Sequence, residues 1–182
     1  MLIDKTVISD KNYNLEAIVN NKEAPSMIKH VPVDDEYTSL IGKAVYVFAY
    51  YEWTIIWIIE YLAPGFVNRY SRGNPMTPTD VHRKLQEIID GLPATFTNIF
   101  KQELQVCCNA FGSLTVRHNA LIHAHPCFDA GGKQILTFQA ETSQSLHDME
   151  WTKEEVTEII SEFDAAAGDA HEISVKVSVM VC

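Results

Sequence analysis

The sequence predicts an all-α fold, an up-and-down bundle of about four main helices with a short strand or β-hairpin after the third. Three observations carry this. Apolar residues recur at spacings of three and four over long stretches, as at Phe100, Leu104, Phe111, Leu114 and Leu121. Gly- and Pro-containing breaks at 64–65, 66–78 and 91–93 divide those stretches. Capping residues stand where the periodic runs begin: Asp34 or Asp35, then Thr79 or Asp80, then Thr152 with Glu155 three residues on.

Residues 1–35 read as an N-terminal arm, because Pro25, Pro32 and the polar NNKE stretch break any long element. Residues 36–182 read as one helical domain. The first helix is expected over about 36–62, with Pro64 and Gly65 as its stop. It is apolar nearly all round (Val45, Phe48, Tyr51, Trp53, Ile55, Trp57, Ile59), so it needs cover on more than one side. Its Ile-Ile-Trp-Ile-Ile run also fits a buried strand, but more than twenty residues without a turn signal favour a helix. A loop is expected over 66–78. A second helix runs to about 90 on Leu85, Ile88 and Ile89.

The third helix is expected to begin near 94–97 and to run to about 124. Its stripe is Phe100, Leu104, Cys107 or Cys108, Phe111, Leu114, His118, Leu121 and Ile122. Pro126 restricts the residue before it and marks the end. A turn at 129–132 (DAGG) and a short strand over 133–140 follow. The fourth helix, opened by the Thr152/Glu155 box, runs to about 170 on Val156, Ile159, Ile160 and Phe163. The tail EISVKVSVMVC alternates like a strand, yet it also continues the helix. Both readings stand.

The chain has 182 residues and a formal net charge of −10. Residues 141–172 carry ten carboxylates against Lys153 alone, so the excess acid lies late in the chain. That balance argues against a surface that binds nucleic acid broadly. The four cysteines, Cys107, Cys108, Cys127 and Cys182, match no zinc-ribbon or redox spacing. With no export signal and free thiols, the expected place is the cytoplasm. The apolar run at 54–59 is too short to span a bilayer, so no membrane role is expected. There is no GxSxG and no phosphate-binding loop.

The densest polar group is VRHNALIHAHP at 116–126. Arg117 is a fixed positive charge. His123, six positions later, exchanges a proton near neutral pH. A cationic clamp beside a proton shuttle suits phosphodiester cleavage. Arg, a short spacer and His, with Asn close behind the Arg, resembles the motif of the HEPN family (higher eukaryotes and prokaryotes nucleotide-binding domains). The first-helix pattern IGKAVYVFAYYE, ending at Glu52, is similar to that family's first core helix. The resemblance implies a helical, usually dimeric protein and, for many members, metal-independent endoribonuclease activity. A toxin or defence role and an antitoxin or regulatory partner fit that class. His118 stands between Arg117 and Asn119, where the family has Asn directly after Arg. Either Arg117 is the family arginine with a longer spacer, or His118 occupies its place and the chain binds without cutting.

Under the ribonuclease reading His123 is general acid or base, Arg117 stabilises phosphate charge, and Asn119, four residues before His123, orients the ring. A homodimer would supply a second histidine. Arg69, Arg72, Arg83 and Lys84 are the expected RNA-backbone contacts, with His118 and His125 beside them. No cofactor, metal or DNA is called for. A zinc set of His118, His123, His125 and Cys127 is disfavoured, because His118 and His123 do not share a helical face. The competing class is a non-catalytic dimeric module that binds a nucleotide or a partner.

Overall fold

A computed structural model describes residues 34–71, 76–93, 96–139 and 149–181. The expected N-terminal arm, apart from Asp34 and Asp35, lies outside the described residues. The elements are α1 (Asp35–Leu62), α2 (Phe66–Ser71), α3 (Pro78–Asp90), α4 (Asn98–Ile122), β1 (His125–Phe128), β2 (Gln134–Phe138), β3 (Met149–Trp151) and α5 (Lys153–Val181). The fold is mostly helical with one small sheet. Among the described residues no helix is long and apolar enough to cross a membrane.

Asp34 caps α1: its carboxylate accepts from the Tyr37 N–H at 3.0 Å. The Lys153 ammonium also sits 3.0 Å from it, tying the start of α1 to the start of α5. α1 and α5 form the most extensive helix pair. Their shared core includes Phe48, Ile55 and Ile59 of α1 and Phe163, Ala167 and Ala170 of α5. The small residues of α5 let the two backbones run close. α3 packs on both α1 and α4. Gly112 permits that approach, since a Cβ there would meet the His82 ring at 2.6 Å.

The expected loop at 66–78 is corrected at its start. Its first six residues form α2, because Glu60 supplies acceptors at the break. One carboxylate oxygen takes the Gly65 N–H at 2.9 Å and the other the Val67 N–H at 2.7 Å. Gly65 makes the turn at φ +91°. The cap of α3 is also corrected, from Thr79 or Asp80 to Thr77. Thr77 and Asp80 form a reciprocal capping box around Pro78.

β1, β2 and β3 form an antiparallel sheet in that order, with Pro126 opposite Leu136 and Leu136 opposite Trp151. Pro126 lacks an N–H, and β1 is an edge strand where that is tolerated. Asp129 shapes the hairpin turn by accepting from the Gly131 and Lys133 N–H groups, both at 2.8 Å. The Tyr37 hydroxyl donates to the Trp151 carbonyl and accepts from the Leu136 N–H. It fastens the sheet to the first turn of α1. The tail is helical: α5 continues to Val181, with Ala170, Ile173, Ser174 and Val177 buried at helical spacing.

Candidate functional site

α4 ends as Pro126 requires. His123 is the cap residue, and its N–H donates to the Asn119 carbonyl at 3.0 Å. Its ring, like that of His125 on β1, is exposed. Asn119 is half-buried beside them. Successive helical residues point about 100° apart, so Arg117 and His118 serve different surroundings.

Arg117 turns to α5 and the sheet. Its guanidinium is ion-paired with Glu162 and lies 6.0 Å from the Trp151 ring centroid. It borders a cleft of about 240 Å³ whose other lining residues are Met149, Glu150, Trp151 and Glu155. The charges next to it are therefore carboxylates.

His118 turns into the core. Its ring stacks on Phe48 with centroids 3.8 Å apart and an interplanar angle of 10°, and Phe163 approaches it edge-on. Burial lowers its pKa below the usual 6.5; the Asn119 side chain opposes this, and the nearby His123 adds to it. Its Nδ1 is buried without a partner among the described residues. His118 is thus a neutral, packed ring. Ile122, expected on the same stripe, is exposed at the frayed end of the helix instead.

The expected RNA contacts fall elsewhere. Arg69 is exposed on α2, and Glu60 lies within its electrostatic reach. Arg72 lies outside the described residues. Arg83 pairs with Asp80 and Lys84 with Glu87, each within α3. Arg69 and Lys84 share a cleft of about 460 Å³ with Phe66, Tyr70 and Met76. None of them borders the Arg117 cleft. Among the described residues no three His, Cys, Asp or Glu side chains are grouped to hold a metal ion, so His118, His123, His125 and Cys127 form no ligand set.

Sequence reasoning did not find Glu162, Trp151 or the burial of Glu52. The first two reach Arg117 through tertiary packing alone. Glu52 has a carboxylate oxygen buried with no partner among the described residues, and burial pushes its pKa up to about 7. The folded state thus holds a proton that the unfolded chain releases near 4.5. Its contribution to stability is greatest below that value, is lost as pH rises, and has gone by about 7. Glu52→Gln is therefore expected to stabilise the protein increasingly from pH 4.5 to pH 7 relative to wild type. Denaturation of both proteins across that range checks it, and a difference independent of pH would refute the burial argument.

No family model, curated protein or solved structure matches the chain.

Proposed function

We propose that the chain is a HEPN-like helical module that works as a homodimer by binding a partner, without cutting RNA. The ion pair between Arg117 and Glu162 carries this reading. A phosphate would have to displace Glu162 from the guanidinium and settle beside Glu150 and Glu155. Coulomb repulsion from three carboxylates opposes that, and a net charge of −10 opposes it at longer range. Arg83, Lys84, Lys153 and Lys176 are likewise engaged with carboxylates. The other cations among the described residues, Lys43, Arg69, Lys101 and Lys133, do not border the Arg117 cleft, so none of them adds positive charge there for an RNA backbone.

The endoribonuclease reading has one observation in its favour. The His123 ring is exposed at the end of α4 with Asn119 one turn before it, as a proton-transfer group needs to be. An assay separates the two. Single-stranded RNA is incubated with the protein at low ionic strength in the presence of a chelator. The module reading expects no 2′,3′-cyclic phosphate ends, and Arg117→Ala to cost only about 1 kcal/mol of stability as a part-exposed pair. Cleavage by wild type that His123→Ala and Arg117→Ala each reduce about 10²-fold or more would establish the enzyme instead.

A further inference from the structure

A cavity of about 400 Å³ opens between α4 and α5, away from the motif. Its walls are Ile99, Val106 and Ala110 of α4 and Ala166 and Ile173 of α5. Ile99 and Val106 are 72% and 69% exposed, apolar surface that the described residues leave uncovered. The volume lies within the roughly 300–1,000 Å³ of small-molecule sites.

The floor is polar at one point. Tyr51 lines the cavity while only 1% exposed, and its hydroxyl has no hydrogen-bond partner among the described residues. The ring is buried but the hydroxyl oxygen is not sealed in, so it is open to the cavity and able to bond a polar atom that enters it. Burial, with Cys107 and Asp169 nearby, keeps that phenol un-ionised, so it offers both a donor and an acceptor. The Cys107 thiol beside it is pushed up to about 12 by burial and is inert as a nucleophile.

The mouth is acidic. Glu103 is neutralised by Lys176 at 3.0 Å across the opening, while Asp169 and Glu172 have no cationic partner among the described residues. Two unpaired carboxylates at the rim of an apolar cavity favour a positive charge and repel a negative one.

We propose that this cavity is a binding site for a small organic amine, its apolar body between α4 and α5, its ammonium at Asp169 and Glu172, and a polar atom reaching the Tyr51 hydroxyl. The site is separate from Arg117 and His123, so the proposal stands or falls independently of what those residues do.

Three probes with one 4-hydroxyphenyl body, whose phenol can reach Tyr51, test it: 2-(4-hydroxyphenyl)ethylamine, 2-(4-hydroxyphenyl)ethanol and 3-(4-hydroxyphenyl)propionate, each titrated calorimetrically into the full chain. The amine is expected to bind at least tenfold more tightly than the carboxylate, with the alcohol between. Asp169→Asn combined with Glu172→Gln should bring the amine to the level of the alcohol. Ala110→Trp fills the cavity and should abolish binding of all three. Should that variant not fold, Tyr51→Phe provides the second reading, with an expected loss of about 3–10-fold for the alcohol. Equal affinity for amine and carboxylate would overturn the proposal. So would the absence of measurable amine binding, or amine binding that survives both the rim and the cavity substitutions.

Discussion

Phe48→Ala is expected to cost about 3–5 kcal/mol, a large part of the stability of a domain this size. Phe48 is 1% exposed and lies where α1, α4 and α5 meet. Its ring stacks on His118, faces Phe111 at 6.1 Å and meets Phe163 at 5.0 Å. Truncation opens a cavity that three helices border, and neighbouring rings cannot all move in to fill it. Urea denaturation measures the loss. The milder Phe48→Leu keeps a folded protein and gives a second readout. It uncovers part of the His118 ring, so the pKa of His118, held below 6.5 by burial, should rise toward that value in an NMR titration. In wild type the same burial means that stability falls as pH drops below 6.5, because the unfolded chain takes up the proton first. A loss under 1 kcal/mol in Phe48→Ala, or an unchanged His118 titration in Phe48→Leu, would show that this ring stack does not hold the bundle together.

That outcome also bears on how the motif reads. In the sequence Arg117, His118, Asn119 and His123 form one cluster within two turns. In the structure they separate: Arg117 belongs to α5 and the sheet, His118 to the aromatic core, His123 to solvent. The helices themselves were legible, because periodicity, caps and breakers act within a few residues. Asp34, Thr97 and Thr152 each stand at the start of a helix and accept from its first turn. The Thr152 box is legible directly, and the Glu155 N–H donates to the Thr152 hydroxyl. Thr77 is less legible than Thr79 or Asp80 as the cap because Pro78 reads equally well as the end of the preceding loop. α2 is illegible for a different reason: its acceptors come from Glu60, across the Gly65 turn. The tail was ambiguous because alternating valines fit either period, and packing against α1 selects the helix. β3 has three residues, too few for any pattern, and exists because Leu136 pairs with Trp151. The partner of Arg117 was the least legible of all. Glu162 lies 45 residues away, one acid among ten in its stretch, and nothing local distinguishes it.

Wild type is expected to run as a dimer in light scattering, at twice 20.5 kDa, and the double substitution of Tyr50→Glu and Trp53→Glu to reduce it to 20.5 kDa. The surface concerned is a stripe on α1: Tyr46, Tyr50, Trp53, Trp57 and Tyr61, at the spacing of one helical face. The first three are 76%, 53% and 43% exposed. Trp57 and Tyr61 line a groove that His171 and Ser174 of α5 complete. Five aromatic rings at about 200 Å² each, roughly half uncovered, bring about 500 Å². Flanking exposed apolar residues of α5 such as Val175 extend that toward the roughly 800 Å² per partner of a standard interface. Apolar patches of this size on a soluble protein mark association surfaces. A second copy is the partner that the charge pattern favours. With a net charge of −10, two chains repel unless they meet where charge is absent, and the stripe contains none. The only acids in α1 between 45 and 61 are Glu52 and Glu60. One has a buried carboxylate oxygen, and the other caps the turn into α2. Introducing two glutamates would set four like charges at the centre of the expected two-fold interface. That costs several kcal/mol, which shifts the dissociation constant by more than 10²-fold. Both positions are exposed in the protomer, so its fold should be unaffected, and an unchanged circular dichroism spectrum and melting point for the isolated protomer would confirm that. A double variant that still elutes as a dimer would move the interface elsewhere on the surface.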